Sequence, residues 1–322
     1  MKKKWILFTA LAVTMMACFS GCGKTAPEQT EKTVEDSRGA ESAVQESSVE
    51  NAATDKQAEE SRKDALEGQQ FTIVNHKVSC QADGKTWAQG SYPEILLNDA
   101  FRTAYPKIAE RIDLLNTELS DTVVSDTADY GAWAMEDNFF EDSVYEKEIC
   151  AYITRADETL FSIFLTYYDW CGGAHPSHYM TAMNLDPATG ENLRLDQILD
   201  DASQLSGGIR KELEKEYEGV MEEVDSFYFR DEDDDPDQFV NKLKEDSYTF
   251  SVDAEGLQII FSPYEIASYA TGELAVLLRY EEYPGLVRET YVMKEAQDIE
   301  KLVETKEDEN EKVVEPRKQE EN

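Results

Sequence analysis

Apolar and polar positions alternate along two neighbouring stretches, residues 71–80 and 86–97. This period of two is typical of half-buried β-strands. Asp83 and Gly84 lie between the stretches, and this pair is typical of a tight turn between antiparallel strands. The pattern therefore predicts a β-hairpin.

A helical pattern follows the hairpin. Asn98 and Asp99 are residue types that cap a helix N-terminus. Large apolar residues then recur at three- and four-residue steps, at Phe101, Tyr105, Ile108, Ile112, Leu115 and Leu119. Pro106 lacks a backbone donor, so we expect a kink or a later helix start there. Trp133 and Glu136 are expected in the following loop.

The sequence pattern after this helix predicts a second group of strands and helices. Helical spacing occurs over 195–199 and 205–220. Strand patterns occur over 143–155, 159–170, 178–185, 248–252, 257–261, 273–280 and 289–292. Antiparallel sheets with packed helices indicate an α+β fold with two lobes in one compact domain. The predicted lobes are a hairpin-helix lobe (70–140) and an α+β lobe (141–297).

The first residues predict export and a lipid anchor. Lysines at 2–4 precede an apolar run of about 15 residues, shorter than the ~20 that a membrane-spanning helix needs. Phe19-Ser-Gly-Cys22 resembles the lipobox of bacterial lipoproteins, so residues 1–21 are predicted to be a signal peptide and Cys22 the lipidated residue. A diacylglyceryl anchor would hold the protein on the outer face of the cytoplasmic membrane.

Two polar segments flank the folded part. Residues 22–69 contain almost no large apolar side chain, which predicts a disordered acidic tether. Residues 298–322 are dominated by charged side chains and are predicted to form a solvated tail.

Charge and cysteine content narrow the possible partners. The formal net charge is −37, so nucleic acid is excluded as a partner and cationic partners are favoured. Apart from Cys18 and the predicted lipidated Cys22, the chain has three cysteines: Cys80, Cys150 and Cys171. Three thiols can form at most one disulfide within the chain, and the sequence does not specify which two would pair.

The segment 167–186 carries the candidate chemistry. It holds adjacent glycines, which suit backbone with positive φ, and two of the three histidines of the chain. The predicted ligand-contacting residues are Tyr168, Trp170, Gly172, Gly173, His175, His178 and Tyr179. Two other interpretations use Cys171 with the histidines, either as zinc ligands or as a cysteine nucleophile with its base. The spacing supplies neither a fourth ligand nor an orienting residue, so no metal, cofactor or catalytic residue is predicted.

An acidic run at Asp231–Asp237 invites a calcium interpretation, because its aspartates alternate as in an EF-hand loop. Pro236 stands where that loop needs glycine, and Lys242 stands where it needs a bidentate glutamate. A solvated loop with at most weak divalent binding is the better interpretation.

Three motifs carry a resemblance to a known family. They are Gly172-Gly-Ala-His-Pro176, Asn184-Leu-Asp186 and Phe261-Ser-Pro-Tyr-Glu-Ile-Ala267. Over residues 71–293 the chain resembles the paired extracytoplasmic domains of unknown function in RsiV-type anti-sigma factors. The same domains precede the catalytic domain of PdaC-type polysaccharide deacetylases.

The resemblance implies a ligand-facing module. RsiV-type proteins bind lysozyme through such domains, but they carry a sigma-binding segment and a transmembrane helix that we do not find here. The catalytic domain of PdaC-type enzymes is also not found. We therefore expect a non-catalytic surface lipoprotein that binds a cationic muramidase or peptidoglycan. The alternative is an enzyme on wall polymers, centred on His175 with Asp186 or Glu191 as its carboxylate partner.

Overall fold

The computed structural model describes residues 68–136, 143–228 and 238–318. It begins with strands β1 (Phe71–Ala82) and β2 (Lys85–Leu97), which pair in antiparallel register. Asp83 and Gly84 both take positive φ in the turn, as a two-residue hairpin requires. The predicted hairpin is confirmed.

Two helices follow where the sequence predicted either a kink or a later helix start at Pro106. The Asn98 side chain accepts a hydrogen bond of 2.7 Å from the backbone N–H of Phe101 and caps α1 (Asp99–Ala104). Pro106 opens α2 (Pro106–Glu136), because a missing N–H costs nothing at the first helical position.

Helix α2 is longer than predicted, so Trp133 and Glu136 lie in the helix and not in a loop. Its buried stripe continues through Val123, Thr127 and Tyr130, where small and polar residues hide the apolar period.

Six strands form the larger sheet. Strands β3 (Tyr145–Ala156), β4 (Phe161–Trp170), β5 (Ser177–Leu185) and the last strand of the chain, β9 (Val303–Val314), extend it in the order β5-β4-β3-β2-β1-β9. The sheet thus continues across residue 140, where the sequence suggested a boundary between lobes. Strands β2 and β3 pair in parallel, and α2 forms the connection that a parallel pair needs.

The charged segment near the C-terminus forms a helical turn α7 (Ile299–Leu302) and strand β9 (Val303–Val314), in place of the predicted solvated tail. Strand β9 pairs with β1 in parallel at the edge of the sheet. Backbone pairing places its charged side chains in water, and charges on an edge strand also discourage pairing with other chains. Charge and strand structure are therefore compatible here.

The second lobe contains helices packed on a small antiparallel sheet. Its helices are α3 (Leu195–Ile198), α4 (Leu205–Glu216), α5 (Val220–Phe227) and α6 (Gln238–Lys244). Its strands are β6 (Thr249–Val252), β7 (Gly256–Phe261) and β8 (Leu274–Arg279). The strand predicted at 289–292 is wrong. This segment forms turns, and the carbonyl of Tyr291 accepts a hydrogen bond from Arg155 rather than from a neighbouring strand.

Each lobe has its own core, and buried polar groups join the two. One core lies between the large sheet and α2, and the other between the small sheet and α3 to α6. The Arg155 guanidinium is buried and donates to the carbonyls of Val252 and Tyr291 at 3.3 and 2.7 Å. Asn184 donates to the carbonyl of Phe250 at 2.8 Å. The molecule is thus the expected α+β fold with two lobes in one compact unit.

None of the helices in residues 68–136, 143–228 and 238–318 combines the length and apolar character needed to cross a bilayer.

Candidate functional site

The Gly172-Gly173 segment connects β4 to β5 at one end of the large sheet. Both glycines take positive φ, at 81° and 109°, and a Cβ on Gly173 would meet no atom within 4 Å. Backbone conformation, and not lack of space, therefore favours glycine at position 173. The loop stands out from the sheet as the sequence indicated.

The predicted contact residues divide between the two faces of the sheet. Tyr168 and His178 are direct cross-strand partners, and so are Tyr167 and Tyr179. Because successive side chains in a strand alternate, the second pair points to the opposite face. The rings of Tyr167 and Tyr179 stack with centroids 4.4 Å apart. Burial is the main cause that raises the pKa of Tyr179 to about 12.

Trp170 and Cys171 face the interior at the end of β4. The Trp170 ring meets Tyr145 edge-on at 5.7 Å. Burial raises the pKa of the Cys171 thiol to about 11, and a hydrogen bond with Tyr130 opposes this only in part. The thiol is therefore protonated at neutral pH, which does not suit a cysteine nucleophile.

The other two cysteines are also unreactive free thiols. Cys80 is buried, which raises its pKa, and burial followed by the charge of Glu148 raises the pKa of Cys150 to about 12. No disulfide joins Cys80, Cys150 or Cys171, all of which lie among the described residues.

His175 forms an aromatic stack with two tyrosines from a distant part of the sequence. Its ring lies 4.4 Å from that of Tyr269, and Tyr269 lies 5.3 Å from Tyr264. Tyr264 is 42% exposed and has a positive φ of 68°, an uncommon conformation for an aromatic residue. We call these three residues the aromatic stack.

Sequence reasoning missed the two tyrosines of the stack. They lie about 90 positions from His175, and no spacing rule connects loops that far apart in the sequence. The sequence did contain the Phe-Ser-Pro-Tyr-Glu-Ile-Ala motif, which includes Tyr264. This motif supported the family resemblance but indicated no role for the tyrosine.

Hydrogen bonds hold the stack on a fixed base. Ser262 accepts from the Met180 N–H of β5 at 3.0 Å. Glu265 accepts from the Ser262 N–H at 2.7 Å and pairs with the buried Lys242 ammonium at 2.6 Å. Glu223 accepts from the Ser268 N–H at 2.9 Å. The side chains of Ser268 and Thr271, followed by this backbone bond, lower the pKa of Glu223. The loop that carries Tyr264 and Tyr269 is thus tied to both β5 and the helices.

Burial lowers the pKa of the His178 imidazole and so favours its neutral form. Its Nδ1 and the hydroxyl of Tyr269 are both buried without a hydrogen-bond partner in the described part of the chain. Buried polar atoms of this kind usually have a partner, so they mark places where a ligand or water would be stabilised.

A depression of about 260 Å³ lies on the sheet face opposite α2, with Tyr168 in its lining. Its charged lining residues are Glu146, Glu148 and Glu311 together with Lys77 and Lys147. We call it the acidic face, because its glutamates outnumber its lysines. Burial is the main cause that raises the pKa of Tyr168, followed by Glu146 and Glu148, with a smaller effect from Tyr269. Tyr168 therefore connects this acidic face to the aromatic stack.

The structure places His175 far from Asp186 and Glu191, the carboxylates that the enzyme interpretation requires. His175 precedes β5 and Asp186 follows it, and a nine-residue strand spans about 30 Å. Asp186 accepts hydrogen bonds from the N–H groups of Ala188 and Thr189 and so fixes a turn, while the Glu191 carbonyl accepts from the N–H of Asp186. Neither carboxylate can therefore act directly on His175.

No group of three or more His, Cys, Asp or Glu side chains in the described residues is arranged to hold a metal ion. The whole acidic run Asp231–Asp237 and the predicted lipidation site Cys22 lie outside the described residues.

Residues 194–281 match a family model described as DUF3298, a protein of unknown function. This range includes α3 to α6 and the small sheet. Two solved structures are similar to the chain. A DUF3298 family protein from Bacteroides fragilis NCTC 9343 is 14% identical with a TM-score of 0.43, covering 70% of this chain and 96% of that one. A DUF3298 family protein from Pseudomonas aeruginosa PAO1 is 15% identical with a TM-score of 0.41, covering 69% and 95%. The sequence matches none of the curated proteins.

Proposed function

We propose that this chain is a non-catalytic lipoprotein on the outer face of the bacterial cytoplasmic membrane that binds a basic, wall-associated muramidase. The observation that supports it is that Tyr168, which lines the acidic face, lies near enough to Tyr269 of the aromatic stack to interact with it electrostatically. Acidic side chains attract a cationic partner from a distance, and exposed aromatic rings provide the contact area that stabilises the complex. The resemblance to RsiV-type domains supports the same class of partner.

Three features support the non-catalytic part of the proposal. His175 lies about 30 Å from the carboxylates that would assist it. Burial raises the pKa values of Cys150 and Cys171. Asp186 is engaged in a turn. A hydrolase or deacetylase would need a nucleophile or a general base within hydrogen-bond reach of its substrate.

Affinity capture tests the muramidase proposal. The chain is passed over an immobilised basic lysozyme at low and at high salt. We expect retention at low salt and release at high salt, because salt screens attraction between exposed charges. Replacing Glu146 and Glu148 by glutamine should weaken binding about tenfold, whereas Glu118→Gln on α2 at the opposite face should not. Binding that is absent, or equal in both variants, would overturn the proposal.

A glycan ligand is the second candidate, because exposed aromatic rings also stack on sugar faces. The specific observation is the exposed Tyr264 ring at the end of the stack. Purified sacculi should then retain the chain at low and high salt alike, and Tyr264→Ala should reduce the retention. Loss of retention at high salt would contradict the glycan interpretation.

The anchor is proposed from the sequence of residues 1–22. Cells that express the chain should incorporate labelled palmitate into it and retain it in the membrane fraction. Cys22→Ala should abolish both properties, and Cys18→Ala should leave both unchanged. Labelling that survives Cys22→Ala would contradict the proposed anchor.

A further inference from the structure

A group of buried polar side chains lies between α2 and the large sheet. Lys147 on β3 and Asp169 on β4 are direct cross-strand partners, and Lys147 Nζ lies 2.8 Å from Asp169 Oδ1. Lys147 Nζ also lies 3.1 Å from Asp126 Oδ2 on α2. The Tyr130 hydroxyl, one helical turn further along, donates to Asp169 Oδ1 at 2.6 Å.

Close packing of the helix on the sheet brings these groups together. A Cβ on Gly90 of β2 would lie 2.3 Å from Thr127 Oγ1 of α2, so only glycine permits this approach. Asp126 and Tyr130 flank Thr127 on the same helix and thereby reach the side chains of β3 and β4.

The reacting groups are shielded from water. Lys147 is 6% exposed and Asp169 is 3% exposed. The Asp126 side chain is 32% exposed and lies between Lys147 and solvent. Asp169 Oδ2 is buried and has no hydrogen-bond partner in the described part of the chain. An unpartnered carboxylate oxygen in the interior is costly and calls for an explanation.

We propose that Lys147 and Asp169 join in an intramolecular isopeptide bond, with Asp126 as the proton acceptor. The inference is independent of the proposed ligand. It explains the unpartnered Oδ2, because this oxygen is the one that leaves when the amide forms. The distances above describe the two side chains before any bond forms between them.

The reaction balances as a condensation that releases one water molecule. The Lys147 ammonium gives one proton to the Asp169 carboxylate, where it resides on Oδ2, which leaves a neutral amine beside a neutral acid whose carbonyl oxygen is Oδ1. The Nζ lone pair attacks Cγ, and the hydrogen bond from Tyr130 stabilises negative charge on Oδ1. Asp126 takes a proton from the attacking nitrogen and delivers it to the departing Oδ2. The C–N bond forms, the C–Oδ2 bond breaks and no oxidant is needed.

Opposing effects set the protonation of the amine. Burial alone favours the neutral form of Lys147, but the hydrogen bonds and charges of Asp169 and Asp126 outweigh it and raise the pKa of Lys147. The resting groups are therefore an ion pair that holds the reactants together. Transfer of a proton from the ammonium to the Asp169 carboxyl group, on Oδ2, starts the reaction, so a slow, single-turnover step after folding is expected.

Peptide mapping of the purified full-length chain tests the proposal. After denaturation, a protease that cuts after lysine should leave the bond after Lys147 intact. It should release one internally cross-linked peptide, residues 108–211, that contains both Lys147 and Asp169. This peptide should be lighter by one water than the same uncut peptide without the cross-link. Recovery of separate, unmodified peptides would identify an ordinary buried ion pair and overturn the proposal.

Three controls make the result specific. Lys147→Arg keeps the charge but should yield residues 108–211 without the loss of water. Asp126→Asn keeps Lys147 beside Asp169 but should slow formation of the cross-linked peptide at least tenfold, and an unchanged rate would overturn the role of Asp126. The internal control is Lys242, which is also buried and lies 2.6 Å from Glu265. No second carboxylate contacts Lys242 among the described residues, so this lysine should remain unlinked.

Discussion

Gly173 and Gly207 provide a matched pair for testing the backbone of the ligand loop. Gly173 has a φ of 109°, whereas Gly207 lies in α4, and a Cβ would meet no atom within 4 Å at either position. Gly173→Ala should lower the free energy of unfolding by about 1 kcal/mol, because an L-residue is strained at positive φ. Gly207→Ala should raise it by about 0.5 kcal/mol. Denaturant titrations measure both changes, and equal effects would contradict this account of the loop.

Cys171 provides a second test at the residue scale. With a pKa of about 11, its thiolate fraction should still be rising at pH 10. The alkylation rate of Cys171 in the folded chain should therefore increase across pH 8 to 10, because the thiolate is the reactive form. The urea-unfolded chain serves as the control, and its rate should level off near the ordinary thiol pKa. A plateau below pH 9 in the folded chain would contradict the raised pKa.

At the scale of elements, the acidic strand β9 should separate from β1 as pH falls. Three carboxyls of β9 have lowered pKa values. The side chains of Lys306 and Gln69 lower the pKa of Glu304, and hydrogen bonds from Asn75 and Lys77 lower that of Glu307. Hydrogen bonds from the Asn310 N–H and from His76 lower the pKa of Asp308. A carboxyl with a lowered folded pKa stabilises the fold above its unfolded pKa, and this stability is lost as pH falls through the folded value. The loss should therefore begin near pH 4.

Amide hydrogen exchange measures this effect element by element. After correction for intrinsic rates, protection of β9 should fall between pH 5 and 3, while protection of the interior strand β4 should not change. Equal loss in both strands would indicate global unfolding and contradict a local effect at β9.

Strands with one buried and one polar face gave the clearest signal. Alternation revealed β1, β2 and β3, because each of these strands packs one side on a core. Strand β4 was found from its run of β-branched and aromatic residues, and it is buried on both faces over residues 161–165. Strand β9 was missed because its charged side chains are exposed on an edge and carry no period of two. The second half of α2 was missed because Thr127 and Gly131 replace large apolar residues where the helix approaches the sheet closely.

The candidate site was predictable only in part, for a similar reason. The glycine loop and His175 are local in sequence, whereas Tyr264 and Tyr269 reach them only through the packing of the small sheet against β5. Lys147 did give a signal, since it occupies a buried position in the alternation of β3. A lysine at a core position predicts a buried anionic partner but does not identify which residue provides it.

At the scale of the whole molecule, Arg155 couples the two lobes. Its guanidinium is 2% exposed and contacts Asp157, Val252 and Tyr291. Arg155→Leu should destabilise the fold by about 3 kcal/mol, because it leaves a partly buried carboxylate and two carbonyls without their partner. Arg194→Leu is the control, since its ion pair with Asp196 is exposed.

Calorimetry distinguishes the two variants. Arg155→Leu should lower Tm and broaden or split the unfolding transition, whereas Arg194→Leu should leave the Tm close to that of the parent chain. An unchanged single transition in Arg155→Leu would contradict a coupling role for this residue.

Hydroxyl-radical footprinting of the chain, alone and with a basic muramidase at low salt, tests the proposed binding surface most directly. The account predicts that oxidation of Tyr168, His175 and Tyr264 decreases on binding. The exposed Trp133 on α2 should be oxidised equally in both samples. Protection of Trp133 without protection of the aromatic stack, or no protection at either place, would contradict the account.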